Sequence, residues 1–256
     1  MKKLWRGLLT AFSMYSALPV PQVEWNADSM KYALCFFPLV GAAVGALCGL
    51  WGWLCGIWGL SAFLYAGGMV LIPLLVTGGI HLDGFVDTSD GLHSHLEPAR
   101  KLEIMKDPHI GAFGVIRCGM YLLALFALAG ALAETPRMGL LYAAGFMTAR
   151  GFSAFAIVTF PAAKNTGLAR LFADAAQKKT VRVVGVLFVL LGFGVMMRLD
   201  IWAGLLAALG SVLLYGWFYR MSRREFGGIT GDLAGYLVCL MELWFLAAAV
   251  LGGILA

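Results

Sequence analysis

The sequence contains few charged residues, and this scarcity excludes a water-soluble globular domain. Asp, Glu, Lys and Arg make up 13% of the 256 residues, whereas soluble domains usually carry about 25%. Hydrophobic residues make up 61%, and the mean hydropathy is +0.84. Because the lipid bilayer is the natural solvent for such a chain, we expect an integral membrane protein.

Other absences narrow the function. The five cysteines form no Cys-x-x-Cys pair and lie in or beside apolar stretches, so neither a disulfide framework nor a zinc site is predicted. The sequence also lacks a P-loop and a nucleophile elbow of the Ser–His–Asp type. The net charge of +5 comes from Lys and Arg in short loops, where they orient membrane helices. We therefore expect no nucleic-acid partner.

Long apolar runs predict an all-α, polytopic membrane helix bundle with about seven transmembrane helices, in a single integral membrane domain over residues 1–256. The predicted spans are 34–58, 60–80, 113–133, 139–160, 181–198, 201–219 and 235–255. An N-terminal amphipathic helix lying on the membrane surface is favoured over a signal peptide, because its apolar residues share one face: Leu4, Leu8, Leu9 and Phe12.

Small residues and charges predict how the spans are arranged. Gly41, Gly45 and Gly49, at four-residue spacing, predict a close contact with another helix of the same chain or of a second copy, which leaves a homo-oligomer open. A cytoplasmic N-terminus places 15 of the 19 Lys and Arg residues inside. The positive-inside rule favours that orientation. The long polar loops 81–112, 161–180 and 220–234 then share the cytoplasmic face.

An aspartate cluster opens the first polar loop. Asp83, Asp87 and Asp90 are spaced i, i+4, i+7, so they share one face if the preceding helix continues. Like charges in one stripe repel each other. A divalent cation removes the repulsion, and carboxylate oxygens suit Mg²⁺, which also binds phosphate oxygens. The alternative is a solvated polar helix end.

Further candidates follow the cluster. Arg100 and Lys106 could neutralise phosphates, and Asp107 could be another metal ligand. Gly111 and Gly114 would let the backbone approach a ligand or the next helix. The alternative is a basic loop that only orients the helices.

The third polar loop and two spans add the remaining candidates. The Gly-rich turn 227–232 contains Thr230 and precedes a helix, whose first N–H groups form an anion site. Asp232 could be the N-cap or a metal ligand. Arg150 and Glu242 are charges inside apolar spans, which are either functional or simply paired with each other.

These motifs resemble those of the cobalamin synthase family, the adenosylcobinamide-GDP ribazoletransferases. The signature-like stretch is GGIHLDGFVDTSDG at residues 78–91, and the similarity continues through 101–107, 111–114 and 227–232. Glu242 and the stretch from Phe12 to Pro21 also match, so the resemblance covers nearly the whole chain.

The resemblance implies a reaction of adenosylcobinamide-GDP with α-ribazole or with α-ribazole 5′-phosphate. The implied products are GMP and adenosylcobalamin or, from the phosphorylated acceptor, adenosylcobalamin 5′-phosphate. It also implies Mg²⁺ and a bacterial or archaeal cytoplasmic (inner) membrane, with lipid around the chain. The expected metal ligands are Asp83, Asp87, Asp90, Asp107 and Asp232. The first three are the expected catalytic residues, with Asp90 favoured as general base. The expected substrate-binding residues are Arg100, Lys106, Gly111, Thr230 and Arg150.

Two other functions stay open. The Asp87-x-x-Asp90-Gly91 pattern matches the opening of the CDP-alcohol phosphotransferase motif, but Ala99-Arg100 follows too late and the later aspartates at four-residue spacing are missing. A transporter could use Glu242 and Arg150 as a coupling pair, but the sequence shows no internal repeat.

Overall fold

The computed structural model describes residues 2–163 and 168–255, without the side chains of 168–170. Part of the predicted loop 161–180, residues 164–167, lies outside the described residues. The described chain forms twelve helices and no sheet: α1 Lys2–Tyr15, α2 Ala27–Met30, α3 Ala33–Trp58, α4 Ala62–Thr77, α5 Ile80–His93, α6 Pro98–Ile104, α7 Ala112–Gly130, α8 Pro136–Thr159, α9 Leu168–Ala175, α10 Lys178–Leu199, α11 Ile201–Phe226 and α12 Gly231–Leu255.

Six helices in the described ranges are long and apolar enough to cross a membrane: α3, α7, α8, α10, α11 and α12. Helices α4 and α5 make a seventh span if the two are taken together, although they meet at 94°. The prediction of an all-α, polytopic bundle with about seven spans is confirmed. A helix suits the bilayer because it satisfies every backbone hydrogen bond within itself.

The second predicted span, 60–80, corresponds to α4, but this helix does not continue into the aspartate cluster. It ends at Thr77, and Gly78 and Gly79 adopt φ of 62° and 76°. Glycine reaches this left-handed region without a steric penalty. The chain turns and restarts as α5, so the aspartate cluster lies on a helix of its own.

The glycine spacing in α3 mediates a contact within the chain. A methyl group on Gly41 or Gly45 would overlap the carbonyl oxygens of Phe146 and Ala143, both on α8. Gly49 is less crowded, with 3.6 Å between an added methyl group and the nearest side-chain carbon of α8. Close backbone approach gives the dispersion contacts that hold helices together in lipid. The prediction of a close helix contact is confirmed, with α8 as the partner.

The predicted N-terminal helix is present as α1. Its Leu9 is buried, whereas Leu4 and Trp5 are 49% and 59% exposed. The chain after α1 is tied to the end of α4, because the Ala17 N–H donates to the Val76 carbonyl over 2.7 Å. The N-terminal segment therefore packs beside the point where α4 gives way to α5.

The polar loops meet at one end of the bundle. The Ile229 N–H donates to the Pro161 carbonyl over 2.8 Å, and the Ala163 N–H donates to the Ile229 carbonyl over 3.0 Å. These bonds join the loop after α8 to the loop before α12. The first polar loop reaches the same end, because Gly84 on α5 lies against the backbone of Asp232 at the start of α12.

Candidate active site

Four aspartates gather where α5 crosses the start of α12. Asp83 is exposed in the first turn of α5, and Asp87 is half-buried one turn later. A methyl group on Gly84 would lie 2.6 Å from the backbone oxygen of Asp232. The absence of a side chain at Gly84 therefore lets α12 approach and brings Asp232 to the α5 cluster.

The cluster concentrates negative charge. Asp83, Asp232 and Asp90 all lie within electrostatic reach of the Asp87 carboxylate. Asp83 and Asp232 each lie in the first turn of a helix, where the partial positive charge of the helix end stabilises a carboxylate. The mutual repulsion favours a bound cation at this end of the bundle.

Asp90 is held by the start of α7. Its Oδ2 accepts the Gly111 N–H over 2.8 Å, and its Oδ1 accepts the Gly114 N–H over 2.7 Å. A methyl group on either glycine would overlap the Asp90 carboxylate. We expected these two glycines to let the backbone approach a ligand or the next helix. Their N–H groups bind the carboxylate of Asp90, which lies on the neighbouring helix α5. This carboxylate satisfies two N–H groups that a helix start leaves without partners.

The donor chemistry fits Mg²⁺. In the described part of the chain no three Asp, Glu, His or Cys side chains are grouped so as to hold a metal by themselves. Mg²⁺ does not need such a cage, because it usually keeps several waters and binds through one or two carboxylates together with substrate phosphates. Asp83, Asp87 and Asp232 offer hard oxygen donors of that kind.

The predicted residues of the α6 region are exposed. Arg100 is exposed on α6 and donates to Glu103 over 2.7 Å. Asp107 is also exposed, and its Oδ1 accepts the backbone N–H of His109 over 2.9 Å and lies 2.8 Å from its ring. These bonds lower the pKa of Asp107, the backbone N–H first. Lys106 is exposed next to it. Among the described residues, no hydrogen bond or ion pair joins any of the three to Asp83, Asp87 or Asp90.

Thr230 caps α12. Its Oγ1 accepts the Leu233 N–H over 3.2 Å, and its carbonyl accepts the Ala234 N–H over 3.1 Å. The alternative that made Asp232 the N-cap is therefore wrong, because α12 begins at Gly231 and Asp232 lies in its first turn. The backbone of Asp232 lies against Gly84, and its carboxylate acts electrostatically on Asp87.

Arg150 and Glu242 form an ion pair inside the bundle. Arg150 is fully buried, and its Nη1 donates to Glu242 Oε1 over 2.7 Å and to the Phe146 carbonyl over 2.9 Å. The pairing that the sequence left open is thus present. A role of Arg150 in substrate binding stays a prediction.

Sequence reasoning missed a second ion pair. Lys101 on α6 is buried, with 4% of its surface exposed, and its ammonium group pairs with Glu225 near the end of α11. Arg224 lies 3.3 Å from the same carboxylate. No local pattern marks this pair, since Lys101 stands in a segment that reads as a basic loop. The pair ties α6 to the end of α11 that leads into the α12 turn.

Fold and site together define a polytopic helical membrane protein with an acidic site at one end of its bundle. The family model described as CobS, cobalamin-5-phosphate synthase, matches residues 7–250. The chain therefore belongs to the cobalamin-5-phosphate synthase family.

Curated relatives agree with this assignment, and each carries the name adenosylcobinamide-GDP ribazoletransferase. The relative from Lachnoclostridium phytofermentans is 38% identical over 93% of this chain and 90% of its own length. Those from Desulfitobacterium hafniense and Geobacillus kaustophilus are 34% and 30% identical, over 97% and 98% of this chain and 96% and 100% of theirs. No solved structure matches the chain. The protein is a membrane transferase of cobalamin biosynthesis.

Proposed function

We propose that this chain joins adenosylcobinamide-GDP to α-ribazole, or to its 5′-phosphate. The ribazole hydroxyl oxygen attacks the phosphorus attached to cobinamide and loses its proton. The bond from that phosphorus to the bridging oxygen breaks, and GMP leaves with that oxygen. The products are adenosylcobalamin, or its 5′-phosphate, and GMP. The observation that carries this proposal is the gathering of Asp83, Asp87 and Asp232 where α5 crosses α12.

The aspartates divide into two roles in this proposal. Asp83 and Asp232 would hold Mg²⁺, which when bound neutralises the charge of the diphosphate. Asp90 was favoured as general base, but both its oxygens already accept backbone N–H groups at the start of α7. We therefore assign the acceptance of the ribazole proton to Asp87, which lies one turn before Asp90 on the same helix face.

The cations of the α6 region would neutralise the leaving GMP. Arg100 pairs with Glu103 at an exposed position. Exposed ion pairs are weak, so a phosphate can replace Glu103 as the partner of the guanidinium group. Lys106 is exposed two residues beyond α6 and can approach the same phosphate as a point charge.

We place this reaction on the cytoplasmic side of the membrane. The polar loops converge at one end of the bundle, and that end carries most of the Lys and Arg residues. Positive charge in short loops is retained on the cytoplasmic side during insertion.

The test uses purified protein in liposomes supplied with adenosylcobinamide-GDP, α-ribazole and Mg²⁺, with EDTA as the metal-free arm. GMP and the corrinoid product should form in equal amounts, and EDTA should stop both. Asp87→Asn should lower turnover on the order of 10²–10⁴-fold, the contribution of a general base. A parallel series with the 5′-phosphate compares kcat/KM for the two acceptors.

The matched control is Asp200→Asn at the other end of the bundle. Asp200 caps α11 by accepting the Ala203 N–H over 2.9 Å, and Asn caps a helix equally well. This variant should keep wild-type turnover. Full activity in Asp87→Asn would remove that residue from the reaction. A folded wild-type protein that forms neither product would refute the proposed reaction and direct attention to CDP-alcohol substrates.

A further inference from the structure

A small cavity lies between α4, α5, α7, α8 and α12. The centre of a water-sized sphere can occupy about 20 Å³ of this cavity. A cavity of this measure needs roughly 10–15 Å³ to hold one water. Apolar side chains form much of its lining, but polar residues, which are unusual within the spans, also line it: Thr77, His81, Tyr121, Tyr142, Arg150 and Glu242.

Two buried nitrogen atoms in this lining have no hydrogen-bond partner in the described chain. They are Nε2 of His81 and Nε of Arg150. The two residues are 7% and 0% exposed. A buried polar group without a partner costs about 1–3 kcal/mol, and buried waters typically satisfy such groups with about three hydrogen bonds.

The donors and acceptors suit a water molecule. Arg150 already uses Nη1 on Glu242 and on the Phe146 carbonyl, and its Nε–H is a further donor. A water can accept that N–H and donate to His81 Nε2. Tyr121 and Tyr142 line the same space, and a hydroxyl group of either residue can supply a third partner.

We propose that this cavity binds an ordered water that links His81 to Arg150, and that His81 is thereby a positioning residue for α5. His81 is the second residue of α5, two positions before Asp83. Its ring is held by Phe37 edge-on at 5.6 Å and by Tyr15 at 6.4 Å. The link through the water attaches the start of α5 to α8.

Such a link matters because α5 follows a two-glycine break. Gly78 and Gly79 leave the angle between α4 and α5 to be set by contacts further along the chain. The backbone at Gly235 of α12 lies against His81, which fixes how closely α5 can approach. The hydrogen bonds of His81 then fix the rotation of α5, and with it the direction of the Asp83 and Asp87 carboxylates.

Radiolytic X-ray footprinting of the intact protein tests the water directly, because hydroxyl radicals formed from a bound water oxidise the side chains around it. In the wild type, Tyr142 should be oxidised at least several-fold more than Phe218, which is equally buried elsewhere in the bundle. In His81→Phe, which keeps a ring without its nitrogen atoms, the labelling of Tyr142 should fall to the level of Phe218. Equal labelling of Tyr142 and Phe218 in the wild type would overturn the water site.

The positioning role rests on the proposed function and is tested by steady-state kinetics. His81→Phe should lower kcat on the order of 100-fold, as small misplacements of catalytic groups do, with the KM for adenosylcobinamide-GDP unchanged. His81→Gln, whose amide can occupy the place of Nε2, should restore most of the kcat. Wild-type kcat in His81→Phe, or no rescue by His81→Gln, would refute the role. A wild type without turnover would refute the proposed function alone, because the footprinting needs no substrate.

Discussion

Removal of one member of the Arg150–Glu242 pair should destabilise the protein far more than removal of both. In Arg150→Met the Glu242 carboxylate stays buried, with 6% of the residue exposed, and loses the guanidinium 2.7 Å away. Breaking a buried pair in this way typically costs about 3–5 kcal/mol. In the double variant Arg150→Met/Glu242→Met, two apolar side chains of similar volume replace the pair, and such replacements are often neutral.

The loss can be expressed as a melting temperature. For chains of 150–250 residues, 1 kcal/mol corresponds to about 2–4 °C. Each single variant should therefore melt roughly 6–20 °C below the wild type, and the double variant should recover most of that loss. A thiol-reactive fluorogenic dye in detergent can report the unfolding, because four free cysteines are buried in the fold: Cys35, Cys48, Cys55 and Cys239.

The exposed Arg198 near the end of α10 provides the matched control. Arg198→Met should change the melting temperature little, because it removes an exposed cation. A double variant that loses as much as the two single variants together would refute the coupling. A single Arg150→Met variant with the wild-type melting temperature would refute the assigned energetic role of the pair.

Two further predictions concern packing at other contacts. Gly45→Ala should lower the free energy of unfolding by about 1–3 kcal/mol, because the new methyl group overlaps a carbonyl oxygen of α8. Gly49→Ala should leave the melting temperature unchanged. Equal effects of the two substitutions would contradict the packing described for α3 and α8. Lys101→Met removes the partner of Glu225 and should increase hydrogen–deuterium exchange in α6, whereas Lys106→Met at an exposed position should not. Unchanged exchange in the Lys101 variant would show that the ion pair does not hold α6.

The spans could be predicted because the bilayer imposes a local rule. A crossing helix needs about 20 apolar residues and satisfies its own backbone, so length and hydropathy suffice. The predicted span 60–80 ended three residues beyond Thr77, because glycines such as Gly78 and Gly79 are also tolerated inside membrane helices. The two glycines adopt the left-handed backbone that separates α4 from α5, and α5 then packs against α7 and α12.

The acidic site was predicted in part. The spacing of Asp83, Asp87 and Asp90 placed them on one helix face, and α5 confirms that arrangement. Asp232 joins them through a helix crossing at Gly84, which no local pattern specifies. Asp107 carries the same charge in the same polar loop, yet it faces His109 in an exposed turn.

The sequence by itself determined that this chain is a membrane helix bundle and that its aspartate cluster and basic loops share one end. Both follow from composition and from a helical period that acts over a few residues. Tertiary structure decided which groups meet across long separations. Asp90 accepts hydrogen bonds from the start of α7, more than 20 residues away, and Arg150 pairs with Glu242, 92 residues away. Those choices depend on where helices cross and which backbone groups the crossing leaves unpaired, and the helical period contains no information about either.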